Sequence, residues 1–156
     1  MTLALERIVL SADHPNAPVP GVRAHARVDD TPAGSRPILV VDDDPEILAM
    51  LRDFLEGEGL TVRTAENGAE ALEALEELAP ALILLDMRMP VLDGWGFAEK
   101  FRERQLGYPI VVMTAAESAR RWAEEIGATA YIAKPFDVNE LLQTIERHRE
   151  QDSKPN

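Results

Sequence analysis

The stretch ALILLDMRMPVLDGWG, residues 81–96, decides the fold of this chain. It begins with five apolar residues in a row, ALILL, a pattern typical of a strand that is covered on both faces. Such runs normally end in a turn former, yet here the acidic residue Asp86 follows at once. The carboxylate therefore stands where a buried strand meets solvent, and we expect it to serve a purpose beyond ending the strand.

Apolar runs and helical patterns alternate on both sides of this stretch. The runs predict strands over 38–41, 61–65, 81–85, 109–113 and 130–133. Apolar residues at helical spacing predict helices over 45–59, 68–79, 96–105, 117–127 and 138–148. Five strands that alternate with five helices indicate an α/β domain, in which helices cover both faces of a parallel sheet.

The composition of the strands predicts their order in the sheet. The segment TVRTA (61–65) alternates apolar and polar residues, as an edge strand does, whereas 38–41, 81–85 and 109–113 are apolar throughout. With right-handed crossovers, the order 2-1-3-4-5 places each strand accordingly. We therefore predict a doubly wound, flavodoxin-like (βα)5 fold, whose ligands bind beyond the carboxyl ends of strands 1 and 3.

Length and composition limit the classes of function. The 156 residues suffice for one domain, and we expect a flexible leader over 1–36, the folded domain over 37–149 and a short tail over 150–156. The lack of cysteine excludes disulfides and thiolate metal sites. Without a signal peptide or a long apolar run, we expect a cytoplasmic protein that does not enter a membrane. The net charge of −12 disfavours direct binding to nucleic acid.

The first, third, fourth and fifth predicted strands are followed by residues whose side chains can do chemistry together. They are Asp42, Asp43 and Asp44 after the first strand, Asp86 after the third, Thr114 after the fourth and Lys134 after the fifth. Because the carboxyl ends of parallel strands share one edge of the sheet, we expect the carboxylates of Asp42, Asp43 and Asp86 to converge there with a hydroxyl and an ammonium.

These groups favour metal-assisted phosphoryl chemistry. Asp42, Asp43 and Asp86 would repel one another and raise each other's pKa. Mg²⁺ would relieve the repulsion through oxygen ligands, although a group of solvated acids is the simpler alternative. A carboxylate beside Mg²⁺ and Lys134 can attack a phosphoryl group, with Thr114 and a backbone N–H near residue 115 facing the remaining oxygen. This chemistry predicts that Asp86 is a nucleophile exposed at a rigid place.

Four motifs resemble the receiver domain of two-component response regulators, the CheY-like family. In chain order they are VVDDDPEIL (40–48), LLDMRMPVLDG (84–94), VVMTAA (111–116) and YIAKPF (131–136). The resemblance covers about residues 37–149. It implies that Asp86 is the phosphoacceptor, and that Mg²⁺ is bound by Asp43, Asp86 and the backbone carbonyl of Arg88, with Asp42 contributing through water.

The resemblance also implies a conformational switch. Thr114 corresponds to the switch hydroxyl and Lys134 to the lysine that pairs with the phosphoryl group. Tyr131 corresponds to an aromatic residue that rotates inward as Thr114 moves, and the bond before Pro135 is expected to be cis. Arg88 flanks the path of attacking water and could cover part of the phosphoryl group. Trp122 lies on the apolar stripe of its helix, which favours core packing.

The implied function is that of a single-domain response regulator rather than an enzyme. A sensor histidine kinase, a histidine phosphotransfer protein or a small phosphodonor would load Asp86 and change the surface over 115–138. Because few residues follow the last predicted helix, we expect output through contacts with a downstream protein.

Two alternatives use the same aspartate. A phosphate relay or sink would pass the phosphoryl group to a histidine phosphotransfer protein. A phosphohydrolase is disfavoured because Arg88 stands where aspartyl phosphatases carry a second aspartate.

Overall fold

The structure, a computed structural model, describes residues 36–152 and contains five strands and five helices in alternation. The strands are β1 (Ile38–Val41), β2 (Val62–Ala65), β3 (Leu82–Asp86), β4 (Ile110–Ala115) and β5 (Ala130–Lys134). The helices are α1 (Pro45–Gly57), α2 (Gly68–Ala74), α3 (Gly94–Glu103), α4 (Ala119–Ile126) and α5 (Val138–Asp152). Across the described range, every helix is too short or too polar to cross a membrane.

The strands form one parallel sheet in the order β2-β1-β3-β4-β5, which confirms the predicted fold. The chain leaves β1 toward one edge and returns to β3 on the other side of β1. This reversal separates the loops that follow β1 and β3, so a crevice opens at the carboxyl ends of these two strands.

Side chains alternate between the two faces of the sheet and build two cores. In β3, Ile83 and Leu85 pack toward α2, α3 and α4, whereas Leu82 and Leu84 pack toward α1 and α5. Every residue of β3 is buried, which explains its unbroken apolar run. In β2 burial is only partial, as expected for an edge strand.

Several elements end where the sequence pattern did not predict. Backbone pairing continues into the polar residues, so that Asp86 pairs with Met113 inside the sheet and Thr114 is still part of β4. The predicted helix over 68–79 ends at Ala74, because the chain continues as tight turns that still bury Leu75. The spacing of the leucines over 72–78 therefore indicated buried side chains and not a continuous helix.

The structure also bears on the expected domain limits. Arg36, assigned to the leader, is buried, and α5 continues to Asp152. The predictions for residues 1–35 and 153–156 lie outside the described residues.

The loop after β3 returns close to its own start. The Gly94 N–H donates to the Met87 carbonyl at 2.9 Å, and Asp93 caps α3 by accepting from the Gly96 N–H at 2.8 Å. A Cβ at Gly94 would lie 2.8 Å from Met87 Cα and 2.5 Å from its Sδ. Only glycine permits this approach, which fixes the backbone immediately after Asp86.

Gly94→Ala is therefore expected to destabilise the chain by about 1–3 kcal/mol, because the added methyl group meets backbone that has to move. Urea unfolding measures the change. Gly57→Ala is the matched control, since a Cβ there meets nothing within 4 Å and alanine favours the helix by up to about 1 kcal/mol. Equal destabilisation by the two substitutions would contradict the close approach.

Candidate functional site

Three carboxylates meet at the carboxyl edge of the sheet. Asp42 and Asp43 follow β1, and Asp86 is the last residue of β3. One carboxylate oxygen from each residue lies within 4.8 Å of the others. Asp42 and Asp86 are buried, with 1% and 7% of their surface exposed, whereas Asp43 is open to solvent. The structure thus brings together the acids that the sequence assigned to this edge.

Lys134, at the end of β5, places its ammonium between two of these acids. Its Nζ donates to Asp42 Oδ2 at 2.6 Å and lies 3.8 Å from Asp86 Oδ1. The other Asp42 oxygen accepts from the backbone N–H of Asp44 at 2.9 Å. When all three acids are ionised, this one ammonium leaves a net charge of −2 on the group of three acids and Lys134.

Asp86 differs from its expected state in two ways. The prediction that it is exposed is wrong, because only 7% of its surface is open to solvent. The pKa of its carboxyl group is raised to about 6, and burial is the largest cause. Lys134 lowers this pKa, the charge of Asp42 raises it, and the backbone N–H groups of Arg88 and Met87 lower it as hydrogen-bond donors. Like-charge repulsion, the expected cause, is therefore secondary, and Asp86 is still mainly ionised at pH 7.

The donor set fits a hard divalent cation. All three convergent groups are carboxylates, the oxygen ligands that Mg²⁺ and Ca²⁺ take, and Asp43 leaves the group accessible from solvent. A small cation that keeps several waters suits a site with few protein ligands, as Mg²⁺ does. Arg88, whose carbonyl was predicted as a further ligand, follows β3 by two residues, with its backbone N–H bonded to Asp86. The residues present therefore fit Mg²⁺.

The remaining predicted residues lie on β4 and β5 or directly after β5. Thr114 is buried in β4 beside Ala133 of β5, and the next residue, Ala115, pairs with Lys134. Tyr131 lies in β5 with 46% of its surface exposed. The Lys134–Pro135 peptide bond is cis. The switch roles of Thr114 and Tyr131 stay predictions.

Sequence reasoning missed one contact beside the site. The Arg88 guanidinium carbon lies 5.1 Å from the ring centroid of Trp122 in α4. Trp122 is buried, as its apolar stripe predicted, but the residues lie 34 positions apart. Neither periodicity nor a motif could have paired them.

The raised pKa of Asp86 predicts how metal-free stability depends on pH. The folded state binds the proton below about 6, whereas the unfolded chain binds it only near the usual value of 3.8. Folding therefore loses stability as pH rises through this window. We expect Asp86→Asn to be more stable than the wild type by about 1–3 kcal/mol at pH 7.5 in chelator, with the advantage vanishing near pH 4. Urea unfolding across this range measures it, and a large destabilisation at pH 7.5 would contradict the buried, charged Asp86.

Comparisons with known proteins agree with this geometry. A family model described as the response regulator receiver domain matches residues 38–146. The chain is 42% identical over 112 residues to the DNA-binding transcriptional regulator NtrC of Escherichia coli (strain K12), covering 70% of this chain and 24% of NtrC. It is 40% identical over 119 residues to the transcriptional regulatory protein PrrA of Mycobacterium tuberculosis, covering 75% and 51%. This chain thus spans only part of each relative.

A solved structure has the same fold. The response regulator protein TrrA from Thermotoga maritima, in complex with Mg²⁺ and BeF, superposes with a TM-score of 0.65 at 32% sequence identity. The superposition covers 72% of this chain and 98% of TrrA.

Proposed function

Since the chain belongs to the response regulator receiver domain family, we propose that it accepts a phosphoryl group on Asp86 in a Mg²⁺-dependent reaction and acts as a signalling switch. The observation that carries this proposal is the placement of the Asp86 carboxylate, beside two further carboxylates and 3.8 Å from the Lys134 ammonium. Such a site supports a phosphoacceptor switch rather than a turnover enzyme.

The reaction transfers a phosphoryl group from a phosphohistidine or a small phosphodonor. An Asp86 oxygen forms the new O–P bond as the bond between phosphorus and the donor breaks, and the donor atom keeps the electron pair. Asp86 enters as the carboxylate, the form that its pKa of about 6 favours at pH 7. Position and charge neutralisation supply most of the catalysis, because the loose transition state requires little covalent assistance.

We propose that residues around Asp86 neutralise the phosphoryl oxygens. Lys134 needs to move little from Asp42 to pair with one of them. We assign a second oxygen to the Thr114 hydroxyl and the Ala115 backbone N–H. Mg²⁺, when held by Asp43, Asp86 and the Arg88 carbonyl, with Asp42 acting through water, would offset the charge of a third. TrrA, which binds Mg²⁺ and BeF, supports this assignment by its similarity.

Output is proposed to pass through protein contacts over residues 115–138. This segment includes the half-exposed Tyr131 and α4, and it begins next to Thr114. The partners of the chain would be a histidine kinase or histidine phosphotransfer protein, which supplies the phosphoryl group, and a downstream protein, which receives the signal. The net charge of −12 argues against direct contact between this chain and nucleic acid. We propose that the switch works in the cytoplasm.

The metal site is tested by comparing two neighbouring aspartates. We expect Mg²⁺ to raise the melting temperature of the wild type, with about 2.7 kcal/mol of stabilisation at one hundred times the dissociation constant. Asp43→Asn should weaken Mg²⁺ binding at least about tenfold, because it removes a charged ligand. Thermal melting over a Mg²⁺ titration measures both effects.

Asp44→Asn is the matched control. It removes one negative charge beside Asp43, but the Asp44 side chain caps α1 by accepting from the Glu46 N–H at 2.9 Å, and asparagine caps equally well. This variant should keep its response to Mg²⁺. If both variants lost the response equally, general charge rather than a three-carboxylate site would explain the binding.

A further inference from the structure

Arg88 links the candidate phosphorylation site to α4. Its backbone N–H bonds to the Asp86 carboxylate, whereas its guanidinium carbon lies 5.1 Å from the ring centroid of Trp122. Arg88 is exposed to solvent and Trp122 is buried, so the guanidinium covers the outer side of the indole. A single residue therefore touches both the site and a helix of the proposed output surface.

Trp122 is held in place by a second indole. The Trp95 ring of α3 meets it edge to face, with centroids 4.9 Å apart and planes at 71°. Trp95 Nε1 in turn donates to Glu125 Oε2 of α4 at 3.0 Å. These contacts hold Trp122 against α3, whereas Arg88 is exposed to solvent and is the movable member of the group.

Phosphorylation of Asp86 would create a stronger partner for Arg88. A cation–π contact at an exposed site is weak, whereas a guanidinium binds two phosphoryl oxygens through short, charge-assisted hydrogen bonds. The phosphoryl group also brings further negative charge to an acid two residues away. The competition therefore favours the phosphoryl group over the indole.

We propose that phosphorylation of Asp86 draws Arg88 off Trp122, so that Arg88 carries the signal to α4 by a route separate from Thr114 and Tyr131. This inference rests on the proposed function, because it requires Asp86 to be loaded. Releasing the guanidinium uncovers the indole and removes one of the contacts between α4 and the loop after β3. The contact between Arg88 and Trp122 would then be present in the unphosphorylated state and absent in the phosphorylated state, as a two-state switch requires.

The two tryptophans of the chain allow a direct test. In the Trp95→Phe protein, Trp122 is the remaining tryptophan, and its emission reports on Arg88. The protein is loaded with acetyl phosphate and Mg²⁺, and the loaded fraction is measured by intact mass. We expect the emission of Trp122 to change on loading. At an equal loaded fraction, the Arg88→Ala protein should show no change in emission. Even before loading, its emission should match that of the loaded parent protein.

Arg120→Ala is the matched control. Arg120 is an exposed arginine of α4, the helix that holds Trp122, and it pairs with Glu124 at 3.1 Å. Its removal should therefore leave the emission change intact. The emission of the unloaded and loaded proteins is also compared with Trp95 retained, which guards against damage from the Trp95→Phe substitution. The response of Trp122 is then measured on top of the emission of Trp95.

Two results would overturn the inference. One is full loading by mass with unchanged emission of Trp122, and the other is an emission change of normal size in the Arg88→Ala protein. A wild-type chain that acquires no phosphoryl group by mass would instead defeat the proposed function. The mass measurement therefore separates failure of the link from failure of the site.

Discussion

Asp86→Asn is expected to reduce Mg²⁺-dependent phosphorylation by on the order of 10⁴-fold or more, as removal of a nucleophile does. The amide oxygen is a poor nucleophile, and the loss of charge also weakens the proposed Mg²⁺ site. Asparagine has the same shape and can still accept from the backbone N–H groups of Met87 and Arg88, so the fold should persist. Intact mass after incubation with acetyl phosphate measures the loss, and circular dichroism checks the fold.

Asp93→Asn provides the control from the same loop. Asp93 is exposed and caps α3, a role that asparagine fills equally well, so this variant should be phosphorylated like the wild type. Phosphorylation of the Asp86→Asn chain at the wild-type rate would show that another residue accepts the group.

Lys134→Met is expected to destabilise the chain by about 2–4 kcal/mol, the largest stability change among these variants. Asp42 is 1% exposed and receives the Lys134 ammonium at 2.6 Å, so the substitution leaves a buried carboxylate without its counter-charge. Breaking one side of a buried pair costs more than the pair contributes, because the remaining charge stays desolvated. Urea unfolding in chelator measures the difference without interference from Mg²⁺.

A second substitution tests the cause. Asp42→Asn in the Lys134→Met background should recover most of the lost stability, because it removes the unpaired charge. Lys100→Met on the exposed face of α3 should change stability by less than about 0.5 kcal/mol. If the Lys134 and Lys100 variants were equally stable, the ammonium would not compensate Asp42 in the folded protein.

The sequence predicted the fold well because burial leaves a strong pattern. A strand covered on both faces is mostly apolar, as β3 is from Leu82 to Leu85, and an edge strand need not be, as β2 shows. The carboxyl ends of parallel strands share one edge, so the polar residues at the carboxyl ends of β1, β3, β4 and β5 identified the site. Strand ends were less certain, because backbone pairing continues through Asp86 and Thr114 whatever their polarity.

The electrostatics of the site could not be predicted in the same way. Burial of Asp86 depends on tertiary packing around the end of β3, and this burial sets its pKa more than the adjacent charges do. The sequence also placed Lys134 within reach of two acids without deciding which one receives its hydrogen bond. The contact of Arg88 with Trp122 arises from the packing of distant segments, which no local pattern records.

The most direct test of the account is to identify the side chain that carries the phosphoryl group. The wild-type chain is loaded with acetyl phosphate and Mg²⁺, treated with borohydride, which reduces an aspartyl phosphate to homoserine, and digested for peptide mass spectrometry. We predict homoserine at position 86, only when both Mg²⁺ and the donor are present. Homoserine at position 42 or 43, or an unmodified Asp86 in a chain that carries phosphate elsewhere, would contradict it.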